Sequence, residues 1–230
     1  MRDKLRAGAL AAALLGWSVA APRIPARWHP LPHALFGVAM SSVSGASLGL
    51  RPPTLWAGLR WGAAAAAPVV LAVAAGTAIS PVRDGMAERT LPAPTGRWLL
   101  LRIPIGTVWA EEAAYRAALG STATRAFGES RGQLFAAAAF GLSHLPDARA
   151  TGESLPGTIL VTGAAGWIFG RLYAKSGSLA APMLAHLAVN EAGAIAALMV
   201  QRRGGEEVRR RCGRARPAGA VRSSGRRFRS

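Results

Sequence analysis

Long apolar runs, separated by short polar or proline-containing segments, dominate the chain. Seven candidate membrane-spanning runs are recognisable, at residues 8–21, 33–50, 61–80, 98–120, 132–146, 155–174 and 179–201. A transmembrane helix uses about 20 predominantly apolar residues, and only helices or closed barrels can span a bilayer. The pattern predicts an all-α fold, a polytopic transmembrane helix bundle of about 6–8 spans.

The first run has two interpretations. Residues 8–21 follow the basic residues Arg2, Lys4 and Arg6, which is typical of either a signal peptide or a first membrane span. The sequence Ser18-Val19-Ala20 resembles a cleavage site. Because the rest of the chain is also apolar, a retained signal-anchor helix is the favoured interpretation.

Composition and charge narrow the class of protein. The 230 residues are 51% hydrophobic and 17% charged, with a mean hydropathy of +0.24, which excludes an ordinary soluble domain. A net charge of +17 by itself would suggest nucleic-acid binding, but the basic residues lie between apolar runs, so no nucleic-acid partner is expected. The single cysteine, Cys212, excludes intramolecular disulfides and thiolate-rich metal sites.

The C-terminal segment 202–230 differs in composition from everything before it. It holds 11 Arg against two acidic residues, Glu206 and Glu207, and its Gly, Ser and Pro content predicts disorder. The charge favours a cytoplasmic tail, and an arm that grips anionic lipid or nucleic acid is the alternative. We therefore divide the chain into N-terminal membrane helices (1–97), a second helix bundle (98–201) and a basic, disordered tail (202–230).

Topology adds a constraint to the number of spans. A basic N-terminus and a basic tail that are both cytoplasmic require an even number of crossings. Seven spans conflict with that requirement. We therefore expect that one of the two shortest runs, 8–21 or 132–146, either lies at the membrane interface or belongs to a helix longer than its apolar run.

Ionisable and polar side chains stand inside three of the C-terminal apolar runs. A charge at mid-bilayer costs roughly 2.5–3.5 kcal/mol or more, so such groups are expected to be paired or functional. The N-terminal runs carry almost none. The members of this set are Glu111, Glu112 and Arg116 in one run, His144 in the next, and His186 and Asn190 in the last.

Spacing within each run suggests what this set does. Glu112 and Arg116 are four residues apart, which predicts an ion pair on one helix face, while Glu111 is turned about 100° away. His186 and Asn190 share the same spacing. A carboxylate and an imidazole can together hold a water and take its proton, and a second imidazole with an amide can stabilise an oxyanion. Water is the expected nucleophile, because Ser143 adjoins His144 in sequence and the lone cysteine lies in the tail.

A metal-dependent version of the same site is the alternative. Glu111, His144 and His186 match the count of a catalytic zinc site with two His and one Glu, although no H-E-x-x-H signature is present. Activation of water without a metal is the preferred interpretation, since Asn190 would have no role in a metal-dependent site. The expected cofactor is therefore none, or one zinc ion. His29 and His33 are interpreted as loop or interface residues, because Pro30 and Pro32 are expected to spoil helical spacing.

Three short motifs in this region resemble a known family. Residues 111–116 fit E-E-x-x-x-R, residues 140–144 fit F-x-x-x-H, and residues 186–190 fit H-x-x-x-N. In this order, and on separate hydrophobic helices, they resemble the motifs of the CPBP intramembrane proteases, which include the type II CAAX prenyl endopeptidases and the Abi immunity proteins. The resemblance covers about residues 98–200.

The resemblance implies an intramembrane endopeptidase with a catalytic cavity open to the membrane. It implies that Glu111 and His144 activate a water, that His186 and Asn190 stabilise the oxyanion, and that Glu112 and Arg116 support the site. The expected substrate is a peptide bond of a membrane-associated or lipidated protein, and the expected location is a bacterial plasma membrane with membrane lipid as a partner.

Two functions from other classes compete with proteolysis. Intramembrane Glu and His also build proton relays in transporters, although the chain has no internal repeat of the kind typical of transporters. A non-catalytic immunity or scaffold protein of the same fold is the other alternative, and the motifs do not separate it from an enzyme.

Overall fold

The computed structural model describes residues 1–25 and 27–214. The fold is 84% helical, and the described residues contain no strand, so the predicted all-α class is confirmed. The main helices are α1 (Arg2–Ala20), α2 (Pro30–Ser44), α3 (Thr54–Gly76), α4 (Ser80–Glu88), α5 (Thr95–Arg97), α6 (Ser121–Phe127), α7 (Glu129–Ser143), α8 (Leu145–Thr151), α9 (Leu155–Ser176) and α10 (Ala180–Arg214).

One long helix carries the first motif. Two π-helical segments, Trp98–Trp109 and Glu112–Gly120, join α5 to α6, so residues 95–127 wind without a break; we call this stretch the central helix. Pro104 lies in the first π-helical segment and has no N–H to donate to the helix. Wide π turns are rare and often occur at functional sites; here Glu111 lies at the junction of the two segments.

Helices of the predicted N-terminal region pack directly on those of the second helix bundle. α2 lies along the central helix, α3 along α10, and α7 along α9. From α1, Leu10 and Leu14 enter a core cluster that also contains Tyr115 and Phe140. Alanine makes up more than half of the buried apolar residues. Because the hydrophobic effect does not drive helices together in lipid, membrane helices associate by close packing, which small side chains permit.

Three of the helices are long and apolar enough to cross a membrane. Among the described residues these are Arg2–Arg23, Thr54–Gly76 and Ala180–Glu206, and they correspond to the predicted runs 8–21, 61–80 and 179–201. Apolar helices of this kind indicate an integral membrane protein. The count of 6–8 spans stays a prediction.

Several predicted boundaries need correction. α2 ends at Ser44, short of the predicted 33–50, because Gly45 takes a left-handed conformation with φ 63°, as helix-terminating glycines do. The run 132–146 is divided at His144 into α7 and α8. Pro146 explains the division, since it has no N–H to donate to the Leu142 carbonyl one turn earlier but is tolerated in the first turn of the new helix α8.

The prediction that prolines exclude His29 and His33 from helical spacing is wrong. Pro30 and Pro32 lie in the first turn of α2, where the missing N–H would have had no helical partner. His33 donates an Nδ1–H hydrogen bond to the His29 carbonyl at 2.7 Å, and the two rings stack with centroids 4.0 Å apart.

The basic segment 202–230 is helical at its start. α10 continues to Arg214, and residues 215–230 lie outside the described part of the chain; the division of the chain and the disorder of its tail stay predictions. Extending an existing helix avoids the cost of nucleation, and Arg and Glu have high helix propensity.

α2 is held very close to the central helix at Gly37. A Cβ added at Gly37 would lie 2.9 Å from the Cα and carbonyl oxygen of Ala110, next to Glu111. We expect Gly37→Ala to lower stability by about 1–3 kcal/mol through overpacking, which would appear as a lower thermal unfolding midpoint in detergent.

Gly16→Ala is the matched control for this prediction. Gly16 is also helical, but an added Cβ there would have nothing within 4 Å, so Ala should leave the midpoint unchanged or raise it through its higher helix propensity. Equal midpoints for the two variants would contradict the close approach at Gly37.

Candidate active site

A fully buried carboxylate joins two of the three motifs. Glu112 has an exposed fraction of 0%. Its Oε2 lies 3.0 Å from Arg116 Nε, at an angle outside that of a hydrogen bond, and its Oε1 accepts a hydrogen bond from His186 Nδ1 at 2.7 Å. The ion pair predicted from the spacing of Glu112 and Arg116 is therefore present. The central helix and α10 are bridged through one side chain.

Aromatic rings cover the cation of this ion pair. The guanidinium carbon of Arg116 lies 4.1 Å from the centroid of Phe140 and 5.1 Å from that of Phe169. Arg116 is only 3% exposed. Cation–π contacts with desolvated rings contribute up to about 2 kcal/mol, so they offset part of the cost of removing the guanidinium from water.

His186 lies between the two adjacent glutamates of the first motif. Its Nδ1 donates to Glu112, and its Nε2 lies 4.0 Å from Glu111 Oε2. The ring stacks on Phe169 at 5.0 Å between centroids. A carboxylate that accepts from one imidazole nitrogen fixes the orientation of the ring and the position of its proton. Nε2 is thereby directed toward Glu111.

Glu111 is the accessible member of the pair. Its side chain is 28% exposed, against 0% for Glu112. Within the described part of the chain, its Oε2 is buried without a hydrogen-bond partner. The structure therefore assigns different environments to two glutamates that are adjacent in sequence. Glu112 is enclosed by its two partners, whereas Glu111 has a partly exposed side chain that makes no described hydrogen bond.

His144 reaches the same aromatic cluster from the end of α7. Its ring lies edge-on to Phe140 with centroids 4.7 Å apart, and Phe140 in turn faces His186 at 6.4 Å. His144 Nδ1 donates to the Phe140 carbonyl at 2.8 Å, so in the neutral ring Nε2 carries the lone pair. No described hydrogen bond or ion pair connects His144 to Glu111 or His186.

The side chain of Asn190 forms its described hydrogen bond within its own helix, α10. Its side-chain amide donates to the His186 carbonyl at 3.3 Å, which leaves the second amide N–H and the side-chain carbonyl for other partners. The predicted stripe of imidazole and amide on α10 is therefore present, but the one described hydrogen bond of Asn190 is local.

Sequence reasoning missed two contributors to this region, Phe169 and His33. Phe169 on α9 stacks on His186 and lies near Arg116, yet an aromatic residue in an apolar run carries no distinguishing signal. His33 on α2 lies within electrostatic range of both Glu111 and Arg102. The proximity of His33 to Glu111 and Arg102 depends on how α2 packs on the central helix.

Burial, with smaller contributions from His33 and Arg102, lowers the pKa of His29 to about 4, so His29 is neutral near pH 7.

A cavity of about 280 Å³ lies beside the buried ion pair, with Arg116, Tyr115 and Gln133 in its walls. A second cavity, of about 1020 Å³, lies between α3, α4 and α10. Glu111, His144, His186 and Asn190 line neither of them. The predicted catalytic cavity around these four residues therefore stays a prediction.

The predicted zinc ligands do not assemble into a metal site here. Across residues 1–25 and 27–214, no group of three or more His, Cys, Asp or Glu side chains is arranged to hold a metal ion. The Nδ1–H bonds of His186 and His144 leave both Nε2 atoms free, as in metal-ligating histidines; it is the relative placement of the three side chains that provides no site. The geometry of Glu111, His144 and His186 does not fit a zinc site, and we derive no step through a metal.

The fold and the site define an all-helical membrane protein with a buried carboxylate–imidazole network. Residues 93–192 match the family described as type II CAAX prenyl endopeptidase Rce1-like, which confirms the resemblance carried by the three motifs. All three motifs lie within the matched segment. No curated protein and no solved structure matches the chain. The match supports a CAAX-type endopeptidase at family level and does not favour a transporter.

Removing the carboxylate of Glu112 should destabilise the protein strongly. Glu112→Ala leaves Arg116 buried without its charge partner, and breaking a buried pair in this way costs about 3–5 kcal/mol. We expect a marked loss of helical signal at lower denaturant concentration, measured by circular dichroism in detergent.

The exposed pair of Glu129 and Arg171 is the matched control. Glu129 Oε1 lies 2.8 Å from Arg171 Nη1, with the side chains 64% and 38% exposed. Glu129→Ala should change stability by less than about 1 kcal/mol, as is usual for exposed pairs. Similar losses for the two variants would mean that burial does not distinguish the pairs.

Proposed function

We propose that this protein is an intramembrane endopeptidase that hydrolyses a peptide bond of a membrane-associated or lipidated substrate with an activated water. One observation carries the proposal: the imidazole of His186 lies between Glu112 at 2.7 Å and Glu111 at 4.0 Å, within the segment that matches the CAAX endopeptidase family. Buried carboxylates and imidazoles in contact are typical of general acid–base sites.

Glu111 acts as the general base in this proposal. It is the glutamate whose side chain is partly exposed, and its Oε2 has no hydrogen-bond partner among the described residues, so it can accept a proton from a water that enters beside His186 as the water oxygen attacks the carbonyl carbon. His144 assists through Nε2, whose lone pair can accept the other hydrogen of the same water, because Nδ1 donates to the Phe140 carbonyl. The requirement is that both side chains reach one water in the substrate complex.

His186 and Asn190 stabilise the tetrahedral oxyanion in the same scheme. This role requires the imidazolium form of His186, with a proton on Nε2 as well as on Nδ1; that Nε2–H points toward Glu111 and therefore toward a carbonyl attacked beside it. Asn190 retains one amide N–H after its bond to the His186 carbonyl. When the intermediate collapses, the C–N bond breaks and the proton held by Glu111 passes to the leaving amine. Fixed donors aimed at developing charge are among the largest contributions to catalysis.

Glu112 and Arg116 are positioning residues. Glu112 orients His186 through the 2.7 Å hydrogen bond, and Arg116 holds Glu112 in turn. Because both are buried, their roles require no contact with the substrate. We further propose that the protein lies in a bacterial plasma membrane with its basic C-terminal segment in the cytoplasm, which the excess of Arg after residue 201 supports.

Glu111→Gln should abolish cleavage without unfolding the protein. The amide keeps the size of the side chain but cannot take a proton, so a loss of about 10²–10⁴-fold in kcat/KM is expected. The measurement is cleavage of a fluorogenic lipidated peptide in proteoliposomes, with thermal unfolding as a check on folding. His144→Ala should behave similarly.

Glu88→Gln serves as the control, because Glu88 is exposed at the end of α4. This variant should keep full activity. Undiminished cleavage by Glu111→Gln would reject Glu111 as the base, whereas a loss shared by Glu88→Gln would point to a general effect of charge.

Chelation offers an independent test of the chemistry. Since Glu111, His144 and His186 do not form a metal site, we expect cleavage to continue after treatment with 1,10-phenanthroline. Elemental analysis of the purified protein should show no stoichiometric zinc. Activity that is lost on chelation and restored by zinc would overturn the proposed metal-free mechanism.

A further inference from the structure

The largest of the described cavities has no part in the proposed reaction. It is a groove of about 1020 Å³ whose walls come from the C-terminal half of α3, from α4 and from α10. α3 and α10 touch at Gly62, where an added Cβ would lie 2.9 Å from Leu184. Beyond that contact the groove follows α10 as far as Gly204. Twenty residues of helix measure about 30 Å, comparable to the hydrocarbon thickness of a bilayer.

The groove lies on the opposite side of α10 from the candidate active site. Helical residues turn by about 100° each, so Ala188 and Ile195 in the groove wall lie about 180° from His186. The groove and the carboxylate–imidazole network are thus separated by the body of α10. A ligand in the groove would not be positioned for cleavage.

The walls of the groove are apolar along most of their length and charged at one end. Valine, alanine, leucine and methionine side chains form the apolar part, whereas Arg83, Asp84 and Arg203 lie near its end. The apolar stretch of α3 ends at Gly76 and that of α10 at Glu206. The three charged residues therefore lie where both candidate spans approach the membrane surface, the level of lipid headgroups.

Hydrogen bonds hold this charged end together. Arg83 donates to Ser80 Oγ at 3.1 Å. Gln201 of α10 donates to the carbonyls of Met86 and Arg89 at 3.0 and 2.7 Å, which fixes α4 against α10. Arg83 and Arg203 consequently face one groove from two helices that are tied to each other.

We propose that the groove is a binding site for a phospholipid with an amine headgroup, of the phosphatidylethanolamine class. An acyl chain lies along the apolar walls, the phosphate accepts hydrogen bonds from Arg83 and Arg203, and Asp84 accepts one from the ammonium group. The carboxylate complements the ammonium group, and the two guanidinium groups complement different oxygens of the one phosphate. Basic pockets between membrane helices hold the phosphate-bearing headgroups of anionic lipids, and Asp84 is the feature here that selects a headgroup with an amine.

Glu191 is the other acidic residue in the groove wall, and it does not belong to the headgroup site. It is twelve residues before Arg203 on α10, about 18 Å along the helix axis, which is too far for both to contact one headgroup. The assignment therefore rests on Arg83, Asp84 and Arg203.

Lipid retention measured by native mass spectrometry tests the proposal. The full chain is reconstituted into nanodiscs that contain equal amounts of phosphatidylethanolamine, phosphatidylglycerol and phosphatidylcholine, and the lipids that stay bound after release into detergent are counted. We expect at least threefold more phosphatidylethanolamine than either other lipid. A preference for phosphatidylglycerol, or equal retention of all three, would overturn the assignment.

Variants separate the two parts of the headgroup site. Arg83→Gln combined with Arg203→Gln should reduce retention of all three lipids at least threefold, whereas Asp84→Asn should remove only the preference for phosphatidylethanolamine. Arg60→Gln is the control, since Arg60 is exposed on α3 outside the groove. Unchanged retention in both groove variants would reject the site.

Two further measurements test the occupant independently of the charges. Ala192→Phe narrows the apolar wall and should reduce retention of every lipid while all charges stay in place. A farnesylated peptide should not displace the bound lipid. Displacement at stoichiometric concentration would assign the groove to a prenylated ligand instead, and would contradict the proposal without affecting the tests of Glu111.

Discussion

The buried carboxylate of Glu112 is the constraint on which the site depends. A charge excluded from water and lipid alike must be matched by partners, because its desolvation costs several kcal/mol. Glu112 meets that requirement with Arg116 from its own helix and His186 from α10. The central helix and α10 can therefore pack only in an orientation that satisfies all three side chains, and this orientation also determines the separation of Glu111 and His186.

Aromatic residues extend this constraint to two more helices. Phe140 on α7 and Phe169 on α9 both lie over Arg116, and each also contacts an imidazole of the site. The cation is thus enclosed by rings whose faces are electronegative. Gly166 permits part of this packing, because an added Cβ there would lie 2.9 Å from the Phe140 ring. Four helices meet at one charge network, which explains how residues far apart in sequence are held together.

The difference between Glu111 and Glu112 has a functional meaning within the proposed mechanism. Adjacent residues in a helix point in directions that differ by about 100°, so a pair of glutamates offers one side chain to the protein interior and the other to a neighbouring space. The inner carboxylate orients His186, and the outer one remains available to a water. The groove on the far side of α10, which we propose holds a lipid, would give that helix a second role that is physically separate from the first.

Local sequence was sufficient for the features that depend on helical spacing and on polarity. Long apolar runs indicated an all-helical membrane protein, the four-residue interval indicated the ion pair of Glu112 and Arg116, and ordered motifs indicated the family that residues 93–192 match. The prolines of α2 led to a wrong prediction, since prolines in the first turn are compatible with a helix.

Contacts between helices were decided only by the tertiary structure. The hydrogen bond of His186 to Glu112, the enclosure of Arg116 by Phe169, and the placement of His33 near Glu111 each join segments separated by tens of residues. Spacing along one helix says which side chains share a face, but it carries no information about which other helix that face meets. That choice depends on the summed packing and charge pairing of the whole bundle.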